Sequence, residues 1–305
     1  DVLGSRGLGD VYKRQIMKFI DKIKTAYRIK GLKINQKILN NHWDGKKYFN
    51  LNFYVVDKTE LSELLIEEQD NFCCYCMRRI RMHDEENGKH RKNMTLEHVI
   101  PHKISQEEWD KDKERYRKIP QFNVDNLDVC IGGNITNPYK KFGMPPYPHF
   151  LAYDNLVASC NGQTLDESLN IVPHHCCNNM RGKNYIEPLY FHSNVSSEIM
   201  YDGRGHIQCS EEYVPYLQEE TGINIMSSFL NDVRLFWKKI ADSDYTVEQV
   251  FKAEDDYDLR INIIDDIFTT DPTGHWLFLL EQRFWCIYSE YDWFYSYYYK
   301  IHQDA

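Results

Sequence analysis

Thr95-Leu96-Glu97-His98-Val99-Ile100-Pro101 is the stretch on which the reading of this chain turns. It sets a carboxylate and an imidazole on consecutive residues of an apolar stretch, and in a strand neighbouring side chains point to opposite faces, so that Glu97 and His98 would have different tasks. An imidazole can take a proton from water near neutral pH, and a carboxylate can hold a hard divalent cation. Upstream lies Cys73-Cys74-Tyr75-Cys76, whose Cys-x-x-Cys turn presents two thiolates to one tetrahedral ion. Downstream come Asp154-Asn155-Leu156-Val157-Ala158-Ser159-Cys160 and then His174-His175-Cys176-Cys177-Asn178-Asn179-Met180-Arg181-Gly182-Lys183. A second cysteine pair, Cys160 and Cys177, is therefore available to close a zinc site.

Composition narrows the class. The 305 residues carry nine cysteines, an odd number that falls in adjacent or near-adjacent groups, which suits metal ligation in a reducing compartment better than disulfides. No apolar run approaches the roughly 18 residues of a membrane span, and the N-terminus lacks a signal pattern, so a cytoplasmic location away from membranes is expected. The formal net charge is -9. It is unevenly spread: residues 16–50 hold nine Lys and Arg against two Asp, whereas residues 241–305 hold four against fourteen acidic residues. The basic end is suited to a phosphate backbone and the acidic end to another protein, although both charge runs also fit solvated faces.

The expected organisation has four parts. Residues 1–15 resemble translated adaptor sequence, with Met17 as the expected start. Residues 16–66 form a basic, partly helical region that Gly31 interrupts, ending in a helix from Thr59 to Gln69 with Thr59 as its cap. Residues 67–190 hold the cysteine and Glu-His motifs, with an irregular, proline-rich insertion over about 102–150 that opens with a charged helix from Gln106 to Arg117. Residues 191–305 begin with a strand pair about Asp202-Gly203, followed by helices from Tyr213 to Lys239 and from Val247 onward. The aromatic stretch that ends the chain reads as a core helix or a partner surface.

Taken together, these motifs resemble the HNH (ββα-metal) endonucleases. The resemblance implies an α+β, mostly helical fold in which a ββα-metal finger braced by structural zinc sits between basic N-terminal and helical C-terminal regions. It implies Glu97 as the acidic metal ligand, His98 as the general base, Asn155 as the residue that orients His98, and Asn178 as the helical metal ligand. Cys73, Cys76, Cys160 and Cys177 correspond to the zinc tetrad. Sixteen residues separate Cys160 from Cys177, so His174 or Cys176 stands as a possible substitute. Arg181 and Lys183 would contact flanking phosphates. The implied cofactors are Mg2+ or Mn2+ for catalysis and Zn2+ for structure.

The run from Asn126 to Cys130 mimics Asn155 to Cys160, and the second copy fits the family pattern better. More narrowly, the chain is similar to the HNH nuclease subunits of Septu-type and retron-associated anti-phage defence systems. That similarity implies a nucleic-acid substrate, with DNA ahead of RNA, and an ATPase partner subunit; this chain shows no phosphate-binding loop, so any ATP dependence is expected in trans. The competing expectations are a non-catalytic zinc module that binds nucleic acid or protein, and an RNA-directed nuclease.

Overall fold

The computed structural model describes residues 17–83, 92–162, 164–165, 171–172, 176–226, 230–253 and 256–268. The fold is α+β, with helices outweighing short two-stranded sheets. Its central pair is β1 (Met94–His98) antiparallel to β4 (Leu156–Cys160), with Met94 opposite Cys160 and His98 opposite Leu156. All five residues of β4 are buried. Between these strands lie α3 (Gln106–Tyr116) and a parallel pair, β2 (Leu127–Asp128) with β3 (Tyr147–Pro148). Ser105 and Glu108 close a reciprocal capping box on α3. The insertion is irregular, as its prolines and glycines require.

Helix α1 (Thr25–Asn41) precedes α2 (Thr59–Glu68), and the two pack together. Gly31 does not interrupt α1. The Tyr153 ring lies against the helix there, and a Cβ on Gly31 would come within 2.3 Å of that ring. Glycine is thus selected for close packing inside the helix rather than for breaking it. At α2, Thr59 is the first helical residue rather than the cap. Its amide and hydroxyl both donate to Asp57 Oδ1, at 3.0 and 2.8 Å.

Lys22, counted in the basic surface, is buried instead. Its Nζ meets Glu68 Oε2 at 2.6 Å and lies 4.0 Å from the centre of the Tyr153 ring. Tyr153 in turn donates its hydroxyl to Glu68. This network anchors the segment before α1 to α2 and to the turn leading into β4.

After β4 come β5 (Thr164–Leu165) paired with β6 (Ile171–Val172), then a single-turn helix, α4 (Asn178–Arg181). Helix α5 (Val195–Glu198) leads into the hairpin of β7 (Ile199–Tyr201) and β8 (Ile207–Cys209), where Asp202 Oδ1 accepts from the amides of Arg204 and His206. Among the described residues, the expected helix from Tyr213 to Lys239 is broken, with α6 (Val214–Leu217) separated from α7 (Asn231–Ala241). Gly222 lies where a Cβ would strike the Tyr216 carbonyl, and Asn224 takes a positive φ of 54°, so the chain turns back on α6. Helices α8 (Val247–Lys252) and α9 (Tyr257–Phe268) follow. With α7 they form an apolar cluster of Phe236, Trp237, Ile240, Val250, Ile263 and Ile264 against Phe72 and Met77, which flank the cysteine turn. The adaptor-like residues 1–15 and the terminal aromatic stretch lie outside the described residues.

Candidate active site and metal centre

Helix α2 delivers the chain into the cysteine turn, and Gln69 splices that turn to the sheet. Gln69 accepts from the Ala158 amide and donates to the Ala158 carbonyl, both at 2.7 Å, so its side chain imitates a neighbouring strand on β4. The Cys74 amide adds a bond to the same carbonyl at 3.1 Å. Cys73 and Cys76 therefore face Cys160 at the end of β4. Cys177 arrives from the far side of a loop, by way of Gly162. At φ +67° this glycine sits where a Cβ would be 2.2 Å from the Cys176 carbonyl oxygen, so only glycine lets the two segments close. That approach overcomes the long Cys160–Cys177 spacing.

The sulfurs of Cys73, Cys76, Cys160 and Cys177 all lie within 4.8 Å of one another, and all four residues are buried. A tetrahedron with Zn–S bonds of about 2.3 Å has edges of about 3.8 Å. Two opposite edges here, Cys73–Cys177 and Cys76–Cys160, measure 3.8 and 3.7 Å. Four close thiols with this spacing could hold a metal such as zinc. Burial opposes a thiolate at Cys73, yet hydrogen bonds with the Cys160 and Cys177 thiols hold its pKa well below the ordinary cysteine value. The Cys160 amide also points at Cys73 Sγ, at 3.2 Å. Burial raises the Cys177 thiol. Cys176 Sγ lies 3.4 Å from Cys177 Sγ but outside the mutual set of four. His174 lies outside the described residues.

Glu97 and His98 face opposite ways, as alternation in β1 requires. His98 is 8% exposed and packs against Phe53, ring centres 4.7 Å apart, and His102, 5.6 Å apart. Its Nε2 lies 3.2 Å from the Phe150 carbonyl oxygen. A carbonyl only accepts, so Nε2 carries the hydrogen and Nδ1 the lone pair. Burial pushes the His98 pKa well below the ordinary imidazole value, helped by the neighbouring His149, His102 and Arg181. The ring is therefore neutral near pH 7, with the lone pair on Nδ1.

Asn155 makes no hydrogen bond to the His98 ring. Its amide nitrogen donates to the Ile100 and His149 carbonyls at 3.0 and 2.8 Å, and its oxygen accepts from the Ile100 amide at 2.7 Å. It thereby clamps the chain beyond β1 and the residue before Phe150, whose carbonyl holds His98. His149, which sequence reasoning missed, is fully buried. It accepts from the Cys130 amide at 3.1 Å and donates to the Pro101 carbonyl at 3.1 Å, a second fastening of the same turn. The only sequence signal for it was its position ahead of the Phe150–Asn155 run. The mimic run forms β2 and leaves Cys130 outside the cysteine tetrad, so the later run is the one paired with β1.

Arg181 is not positioned to meet a phosphate. It is 2% exposed; one terminal nitrogen donates to the Glu97 carboxylate and the His98 carbonyl, the other to the Val99 carbonyl at 2.6 Å. The cause is a buried carboxylate on β1 that requires a cation. Burial pushes the Glu97 carboxyl above its usual range, and the charge of Arg181 opposes that shift. The Asn178 amide nitrogen donates to Thr95 Oγ1 and the Leu96 carbonyl, at 3.0 and 3.1 Å. Lys183 is exposed.

With its carboxylate already neutralised by a guanidinium, Glu97 together with Asn178 does not fit a hard divalent cation in this arrangement. Among the described residues, the four cysteines are the group of metal-ligating side chains brought together. No helix there is long and apolar enough to cross a membrane. No protein-family model, curated protein or solved structure matches the chain.

Proposed function

We propose that this chain is a zinc-braced endonuclease of the HNH type that hydrolyses phosphodiester bonds in DNA, with His98 as the general base. One observation carries the reading: a neutral imidazole whose Nε2–H is held by the Phe150 carbonyl and whose Nδ1 keeps its lone pair. Nδ1 takes the proton of the attacking water, and the Phe150 carbonyl stabilises the imidazolium that forms. An ion held by Cys73, Cys76, Cys160 and Cys177 would brace the end of β4, and with it the turn that orients His98. Lys183, exposed just beyond α4, is the remaining candidate for a phosphate contact. The resemblance adds a role as the nuclease effector of an anti-phage system, with an ATPase supplying target choice.

The test is nicking of plasmid DNA by the purified chain under titration with Mg2+ or Mn2+. Cleavage is expected to fall about 10²- to 10⁴-fold in His98→Ala while zinc content stays unchanged. Wild-type rates in His98→Ala would refute the assignment. RNA in place of the plasmid separates the RNA-directed alternative.

The pairing of Glu97 with Arg181 favours a second reading, a non-catalytic zinc module that binds nucleic acid or protein. In that case the chain binds zinc and cuts neither DNA nor RNA with any divalent cation.

A further inference from the structure

The turn between Asn52 and Val56 presents an aromatic ring beside the His98 site. Tyr54 is 70% exposed and Val55 58% exposed. The turn is pinned. Asn52 Oδ1 accepts from the amides of Tyr54 and Val55 at 3.0 and 3.2 Å, and Lys58 Nζ donates to the Val56 carbonyl at 2.8 Å. The rings then form a continuous path inward. Tyr54 lies 5.2 Å from His102, His102 lies 5.6 Å from His98 in a stacked arrangement, and Phe53 touches all three.

Cations flank this path. Lys103 Nζ lies 5.4 Å from the Tyr54 ring centre, and Lys58 Nζ lies 4.6 Å from that of Phe53. Asp57, the nearest acidic residue in sequence, has Oδ1 bound by the amide and hydroxyl of Thr59.

We propose that Tyr54 is a base-stacking platform, and that with Lys58 and Lys103 it makes the surface beside His98 select unpaired nucleic-acid strands over intact duplex. The proposal rests on the reading of His98 as the hydrolytic centre and names the substrate class of that site. A base inside a duplex has both faces covered by its neighbours, so an exposed tyrosine ring can receive only a base that has left the stack. The exposed Lys103 ammonium, and the Lys58 ammonium that also donates to the Phe53 and Val56 carbonyls, supply the charge that the adjoining phosphates require. The chemistry is shared by single-stranded DNA, single-stranded RNA and frayed ends.

The experiment is fluorescence anisotropy of the full-length chain, without added divalent cation, on short labelled single strands of DNA and of RNA and on a DNA duplex of the same sequence. Single strands are expected to bind more tightly than the duplex. Tyr54→Ala should weaken single-strand binding about ten- to a hundredfold with little effect on the duplex, and Tyr54→Phe should keep it. A difference between the DNA and RNA arms identifies which strand the platform takes. Preference for duplex, unchanged single-strand affinity in Tyr54→Ala, or absence of binding to any strand overturns the proposal. That failure is distinct from failure of the hydrolase reading, which is decided by cleavage in His98→Ala.

Discussion

His98 Nε2 lies 3.2 Å from the carbonyl oxygen of Phe150, a residue 52 positions further along the chain. The ring is thereby given a fixed tautomer and a fixed direction. What holds the acceptor still is Asn155, which binds the carbonyl of His149 next door and both backbone groups of Ile100. Asn155 is a positioning residue, acting on the backbone that aims the imidazole.

Asn155→Ala should therefore damage stability as well as activity. It removes three hydrogen bonds at a fully buried position and leaves two carbonyls and an amide seeking partners. A loss of about 2–4 kcal/mol is expected, read from urea unfolding. A variant as stable as wild type would show that these bonds are dispensable.

Glu97 and Arg181 form a buried pair whose members depend on each other. Arg181→Met strands a carboxylate and should cost about 3–5 kcal/mol, whereas Glu97→Gln combined with Arg181→Met should recover much of that loss. A double-mutant cycle on thermal or urea unfolding measures the coupling. Additive losses would mean that the two groups do not pair in solution.

The sulfur geometry separates neighbouring cysteines. Cys76→Ser or Cys177→Ser should lower zinc content to well below one ion per chain and lower the melting temperature, and a strong chelator should do the same to wild type. Cys176→Ser should keep its zinc. Metal analysis by mass spectrometry decides, and equal zinc loss in Cys176→Ser would place that thiol among the ligands.

His149 should make stability fall in acid. Burial lowers its pKa from about 6.5 to about 4, so the folded state holds it neutral where the unfolded chain already binds a proton. The contribution is fully present above pH 6.5 and is lost as pH falls through 4, roughly 3 kcal/mol in all. His98, also depressed by burial, acts in the same direction. Comparing unfolding midpoints from pH 7 to pH 4 should show a shallower decline in His149→Gln than in wild type. Parallel curves would remove His149 as a cause.

Much of the local structure was legible. The charged helix over Gln106–Tyr116 announces itself through Ser105 and Glu108, three residues apart, and the Asp202-Gly203 turn closes the hairpin it predicts. The four thiols stood out among the candidates because the cysteines fall in dense, near-adjacent groups, with His174 and Cys176 left as substitutes. Gly31 was misjudged because its reason is the Tyr153 ring, more than a hundred positions away. Lys22 was misjudged likewise, through Glu68 and Tyr153.

The capped helix at Gln106–Tyr116, the Asp202-Gly203 hairpin and the cysteines that are candidates for an ion could thus be read along the chain. These depend on periodicity, capping and spacing among residues that are close along the chain. The state of each charged and polar side chain in the site came instead from packing between distant segments. Arg181 and Glu97 meet across 84 positions, and Phe150 and Asn155 define His98 from the approach to the opposite strand. In a buried site, ionisation and orientation follow from which partners surround a group in space, and adjacency in sequence does not specify those partners.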